Sequence, residues 1–142
     1  MTPTLFGRIQ TRFLLLATVG LMWTAIVAPV LPRSGASIGT VYTATLLALV
    51  VVAVVGVIWE LLYHSIQQYR WEKDWPILFS LLLGIPEGVV AYYVLGTLLD
   101  PAPTPLTFTP HFVSTWLVVW LTAVGPFRVF LIRWRFRGGR IL

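Results

Sequence analysis

The sequence contains no cysteine and little charge. Without cysteine, the chain cannot form disulfides, carry out thiolate chemistry, hold an iron–sulfur cluster or bind zinc through thiolates. Charged residues make up 11% of its 142 positions, whereas a soluble domain carries about 25%. Together with a mean hydropathy of +0.86, this shortage of charge indicates that lipid is the main solvent of the chain.

Sequence motifs of several enzyme classes are also missing. The chain has no HExxH zinc motif, no paired intramembrane aspartates, no Ser–His pair at convincing spacing and no glycine-rich phosphate-binding loop. We therefore expect a protein that is not an enzyme.

What the chain does have is four long apolar runs separated by short polar segments. A bilayer core about 30 Å thick is crossed by roughly 20 apolar residues in a helix, and backbone polar groups in lipid must be satisfied within the segment. We predict an all-α integral membrane protein with one transmembrane domain, 1–142. Its four helices, at 13–31, 40–69, 76–99 and 111–132, would form an antiparallel bundle, followed by a basic tail at 133–142.

The distribution of Lys and Arg predicts the orientation of this bundle. Nine of the ten fall on the side that holds both termini, and only Arg33 falls on the other. By the positive-inside rule both termini would be cytoplasmic, in a bacterial-type inner or plasma membrane. This placement accounts for the net charge of +5 without nucleic acid. The tail arginines would contact anionic lipid headgroups: Arg133, Arg135, Arg137 and Arg140.

Glu87 is the most informative single residue, because it lies near the middle of the third apolar run. An ionisable side chain at that depth is costly and usually marks a functional site or a specific partner. The spacing of Gly84 and Gly88 permits close helix packing, and Pro86 predicts a kink in the third helix.

Two interpretations of Glu87 remain open from the sequence. In one, it is a protonatable or ion-binding group in a small oligomeric transporter or channel. In the other, which we favour, it is a hydrogen-bonded residue that fixes helix packing, for instance against Thr24 or Thr122.

Glu60 and Arg128 are predicted to form a salt bridge. Both would lie about 10 Å inward of the membrane midplane by helical rise, and each charge alone would be expensive in lipid. The alternative is that Arg128 receives an anionic ligand or a carboxylate of a partner protein.

His64 follows Glu60 by one helical turn and shares its face. No metal site is predicted, because a third and a fourth ligand are missing. His111 would begin the fourth helix on the opposite membrane face, about 30 Å away. No cofactor is predicted, although a haem on His64 or a pigment beside Trp116 and Trp120 is left open.

The segment between the second and third helices predicts a docking surface. It is rich in charged and aromatic side chains and would face the cytoplasm: Gln67, Gln68, Arg70, Trp71, Glu72, Lys73, Asp74 and Trp75. We expect a structural or accessory subunit of a larger membrane assembly, or of a homo-oligomer, in contact with membrane lipids. The alternatives are a small oligomeric transporter or channel that uses Glu87 and, third, a cofactor-carrying electron-transfer subunit.

Overall fold

The computed structural model describes residues 4–69 and 77–141, and all regular structure within those ranges is helical. Four helical spans are long and apolar enough to cross a membrane, which confirms the prediction of four such helices. They are α1 (Leu5–Val30), α2 (Ile38–Gln68), α3 (Ile77–Leu82 continued by Gly84–Leu98) and α4 (Pro105–Phe130). A short helix, α5 (Ile132–Phe136), follows α4.

The first helix begins at Leu5, eight positions before the predicted start at residue 13. Thr4 caps it, since its hydroxyl accepts a hydrogen bond from the Gly7 N–H at 3.2 Å. The prediction was wrong because Arg8 and Arg12 resemble a basic lead outside the membrane. Both arginines instead lie within α1, where carboxylates of other helices compensate their charge.

A single wide turn changes the register of α1 midway along its length. The segment Leu16–Gly20 is π-helical, with α-helix on either side. Buried residues recur every four positions before it, at Gly7, Thr11 and Leu15, and again after it, at Gly20, Thr24 and Ala28. In the wide turn five residues take up about one helical turn, so the five-residue step from Leu15 to Gly20 keeps the buried residues on one side of α1.

The third helix is interrupted at Leu83, three positions before Pro86. Pro86 therefore lies in the first turn of the second part of α3, where a missing N–H costs little. The interruption falls in the region where the sequence predicts a kink.

The fourth helix starts at Pro105, earlier than the predicted start at residue 111. The predicted bounds left residues 100–110, which contain four prolines, outside the helices. Pro105 instead occupies the first helical turn, and Pro110 is accommodated within the helix. Proline density misled the prediction, since a proline near a helix start is tolerated.

The helices pack around a core between α2, α3 and α4, with the middle of α1 alongside. Its buried side chains are Leu16, Ala48, Leu49, Val51, Val52, Ala91, Leu95, Phe108 and Phe112. At one end of the bundle the Thr107 hydroxyl donates to the Pro32 carbonyl at 2.7 Å. At the other end the Thr4 N–H donates to the Gly138 carbonyl at 2.8 Å, so the two ends of the described chain lie together.

The basic tail folds back onto the start of α1. After α5 the backbone turns through Gly138 and Gly139, whose φ values of 63° and 82° lie in the left-handed region that favours glycine. A β-carbon at position 7 would overlap the backbone of both glycines. The close approach of α1 and the tail therefore depends on glycine on both sides.

Candidate functional site

The most buried charged group among the described residues is the carboxylate of Glu87, and its partner is Arg12. Arg12 Nη1 donates to Glu87 Oε1 at 2.8 Å and Nη2 to Oε2 at 2.7 Å. The Glu87 side chain is 2% exposed and that of Arg12 is 12% exposed. This two-pronged geometry is the strongest form of an arginine–carboxylate contact, and it joins α1 to α3 inside the bundle.

Two further residues hold the Arg12 guanidinium in place. Its Cζ lies 5.7 Å from the centroid of the Trp116 ring on α4, a distance at which a cation is attracted to the ring face. On the α2 side, a β-carbon at Gly56 would overlap the guanidinium. One arginine of α1 therefore contacts all three of the other long apolar helices.

A second pair lies one turn nearer the start of α1. Arg8 Nε is 2.9 Å from Glu60 Oε2, and Arg8 Nη1 donates to Gln67 Oε1 at 3.2 Å. The Nε–H is not aligned with the carboxylate, so Nε and Nη2 make no hydrogen bond to described residues. This pair, with side chains 18% and 19% exposed, is an electrostatic contact with poorer geometry than Arg12–Glu87.

The predicted salt bridge between Glu60 and Arg128 is wrong. Glu60 is paired with Arg8, whereas Arg128 is exposed and forms no ion pair within residues 4–69 and 77–141. Matching depth was a sound criterion, but it did not include the direction in which each side chain leaves its helix. Arg128 also lies beyond the interruption of α4 at Gly125.

The glycines around Glu87 serve as contact points for aromatic rings of α4. A β-carbon at Gly84 would overlap the Trp116 indole, and one at Gly88 would lie 2.5 Å from the Phe112 ring. Both glycines are buried, whereas Pro86 is exposed. Gly84 and Gly88 thus have the packing position expected of them, and Pro86 marks the helix interruption without facing α4.

Trp116 and Trp120, which the sequence could not orient, both contact α3. The Trp116 indole N–H donates to the Leu81 carbonyl at 3.2 Å, and that of Trp120 to the Ser80 hydroxyl at 3.0 Å. Phe108, Phe112 and Trp116 stack along one face of α4, with ring centroids 5.5 and 6.2 Å apart. These aromatic side chains are used in packing α4 against α3.

The two threonines considered as partners of Glu87 have other contacts. Thr24 Oγ1 lies 2.9 Å from His111 Nε2, and both residues are buried. The Thr122 hydroxyl donates to the carbonyl of Val118 in its own helix. Sequence reasoning did not identify Arg12 as the partner of Glu87. A signal was present, because a buried carboxylate with no cation in its own helix is stabilised by a cation from another helix.

His64 lies one turn from Gln68, and its Nε2 is 3.4 Å from Gln68 Nε2. The described ranges contain no group of three His, Cys, Asp or Glu residues placed to hold a metal ion. An apolar cavity between α1, α2 and α4, bordered by His111 and Trp116, has a volume of about 20 Å³. That space fits about one water molecule, so this cavity does not accommodate a haem or a pigment.

Of the predicted docking surface, Gln67 and Gln68 are described. Gln67 accepts the hydrogen bond from Arg8, whereas Gln68 is exposed at the end of α2. Arg70, Trp71, Glu72, Lys73, Asp74 and Trp75 lie outside the described residues.

Comparison of the chain with protein-family models, with curated proteins and with solved structures gave no match.

Proposed function

We propose that this chain is a non-enzymatic subunit of a membrane assembly, either with other membrane proteins or with copies of itself. It would cross the membrane four times as an antiparallel bundle with both termini in the cytoplasm. The observation that carries the proposal is the bidentate Arg12–Glu87 pair, because it uses the most buried carboxylate of the described residues to hold helices together.

Ion pairs inside a bundle favour a structural role when each partner is satisfied by the other. A buried pair contributes little net stability over apolar residues, but removal of one partner leaves an expensive uncompensated charge. Pairing therefore selects one arrangement of α1 against α2 and α3. The Arg8–Glu60 contact acts in the same direction at the next turn of α1.

A transporter or channel is the less favoured alternative. Such a protein needs a polar path that reaches its ion-binding group. Both Glu87 oxygens accept from Arg12, and the Glu87 side chain is 2% exposed. Glu87 is not among the residues that line the small apolar cavity bordered by Trp116. This arrangement supports a packing role for Glu87 in preference to a transport role.

The outer surface of the bundle is then the part available for partners. Large apolar side chains are exposed along all four spans, for example Met22, Ile58, Tyr93 and Leu121. In a membrane these side chains meet either lipid or another protein. The cytoplasmic segment after Gln68 would add polar contacts to such an interface.

Mild-detergent purification tests the proposal. We expect the chain to elute above the mass of a single copy, with a second membrane protein or a second copy at fixed stoichiometry. A monodisperse single copy without any partner, from membranes solubilised at several detergent strengths, would contradict it.

A matched pair of variants separates the two functions. We expect Glu87→Gln to reduce the amount of folded complex, whereas Gln68→Ala, on the exposed end of α2, should leave folding unchanged. Reconstituted protein that folds normally with Glu87→Gln but loses a measured ion flux would favour the transporter.

A further inference from the structure

The segment from Arg128 to Arg140 presents an unusual density of uncompensated positive charge. It carries five exposed arginines, none of which forms an ion pair within the described part of the chain: Arg128, Arg133, Arg135, Arg137 and Arg140. Between them lie large apolar side chains that are also exposed, namely Phe130 at 80%, Ile132 at 62% and Phe136 at 65%. Cationic and apolar groups thus alternate over a single short stretch.

This segment is held in place by the beginning of α1. The Trp134 indole N–H donates to the Thr11 hydroxyl at 2.7 Å, and that hydroxyl donates to the Gly139 carbonyl at 3.0 Å. The Ile141 N–H donates to the Gln10 side chain at 3.0 Å. The arginines therefore project from a folded scaffold that contacts the same helix as the buried ion pairs.

We propose that the segment 128–140 is a binding surface for anionic phospholipid headgroups, and that lipid bound there stabilises the position of α1. Guanidinium groups match phosphate oxygens in geometry as well as in charge. Basic residues at a membrane surface attract anionic lipid by about 1 kcal/mol each, which corresponds to roughly a fivefold enrichment per arginine. The location at a membrane surface rests on the proposed membrane-spanning placement.

The exposed apolar side chains favour lipid over an acidic protein as the occupant. α5 follows α4 with a single intervening residue, Leu131, so the segment lies at the end of a membrane span. Phe130, Ile132 and Phe136 can then enter the boundary between headgroups and acyl chains, where aromatic residues are favoured. An acidic protein surface would satisfy the arginines but leave these three side chains in a polar contact.

Nanodiscs of defined composition provide the test. The full chain is reconstituted in phosphatidylcholine alone or with phosphatidylglycerol, and retained lipid is counted by native mass spectrometry after release. The test variant replaces Arg133, Arg135 and Arg137 by Gln, and the control is Arg33→Gln at the opposite end of the bundle. We expect the wild type and the control to retain phosphatidylglycerol preferentially, and the triple variant to lose most of that preference.

A stability measurement tests the coupling to α1. We expect phosphatidylglycerol to raise the melting temperature of the wild type, and the triple Gln variant to show a much smaller rise. The two hydrogen bonds of the Thr11 hydroxyl, from Trp134 and to Gly139, form a clamp between α1 and the tail. Thr11→Val removes both of them and should retain the lipid preference but lose most of the thermal gain. Because the triple Gln variant can fail to fold, a triple Lys variant that keeps the charge provides a second measurement, and it should retain phosphatidylglycerol.

Two results would overturn the inference. One is that the wild type retains no more phosphatidylglycerol than a folded variant with fewer arginines. That variant is the triple Gln variant or the single variant Arg135→Gln. The other is an acidic protein that co-purifies with the wild type only, with no lipid preference in either form. Failure of the membrane-spanning placement is distinguishable, because the wild type would then not reconstitute as an integral protein in any lipid.

Discussion

Removal of the Glu87 charge should destabilise the bundle far more than its small change in volume suggests. In Glu87→Gln, the Arg12 guanidinium keeps its buried position, 12% exposed, but loses its counter-charge. Removing one partner of a buried ion pair costs about 3–5 kcal/mol. Replacing both partners by apolar residues of similar length, Arg12→Met with Glu87→Met, removes the charge and the countercharge together. We expect the double variant to be more stable than either single variant.

The assay is reversible unfolding in mixed micelles, followed by tryptophan fluorescence, for the wild type, both single Met variants and the double variant. The difference between the double loss and the sum of the single losses gives the coupling energy. For residues in direct contact this energy is about 0.5–3 kcal/mol, and we expect the upper part of that range because the contact is bidentate and buried.

The Arg8–Glu60 pair is the matched control for this cycle. Its side chains are more exposed, at 18% and 19%, and its closest nitrogen is not aligned for a hydrogen bond. The same cycle on Arg8 and Glu60 should give a smaller coupling energy. Additive losses for Arg12 and Glu87, or a larger coupling energy at Arg8–Glu60, would contradict the assignment of Arg12–Glu87 as the stronger pair.

Three further predictions concern the surroundings of the pair and the tail. Gly56→Ala should lower the melting temperature because the added carbon overlaps Arg12. This loss should exceed the gain of about 1 kcal/mol that alanine has over glycine in a helix interior. Gly39→Ala serves as the control, since the nearest atom to its added carbon is 3.7 Å away. Trp116→Phe should cost about 1–3 kcal/mol in the same unfolding assay, because the ring loses its N–H hydrogen bond and part of its attraction for the cation. Trp134→Phe should increase proteolysis of the tail without changing the helix content of the bundle. An unchanged digestion pattern would contradict the role of the Trp134–Thr11 hydrogen bond in holding the tail.

The sequence predicted the helix count because hydropathy and the lack of charge are properties of whole segments. It failed at the start of α1 because local charge is a poor guide where a distant residue compensates it. Two carboxylates within the apolar spans, Glu60 and Glu87, are each paired with a cation of α1. Whether these carboxylates reach Arg8 and Arg12 depends on how α1, α2 and α3 are rotated about their axes. A single sequence does not specify those rotations.

The same reason explains the incorrect pairing of Glu60 with Arg128. Helical rise gives a residue's depth, but orientation around the axis changes by about 100° per residue and is altered further by wide turns and interruptions. α1 contains such a wide turn, and α4 is interrupted at Gly125. The contact between the tail and Gly7 was likewise hidden, because it depends on the backbone conformation of the glycines after α5.

The glycine spacing around Glu87 was more informative. Gly84 and Gly88 indicated a close approach, and the rings of α4 occupy the space above them. The sequence did not identify the partner as aromatic, since small residues allow contact with either a backbone or a ring.

Arg12 of α1 and Glu87 of α3 are in contact within the folded bundle, and a crosslink between the two positions is a direct test of that contact. Because the chain has no cysteine, the double variant Arg12→Cys with Glu87→Cys carries only the two introduced thiols, which a short bifunctional thiol-reactive crosslinker can bridge in native membranes. We predict an efficient intramolecular crosslink, and little or none for Arg33→Cys with Glu87→Cys, whose positions lie at different depths. Equal crosslinking of the two pairs, or none in the Arg12–Glu87 pair, would contradict the account.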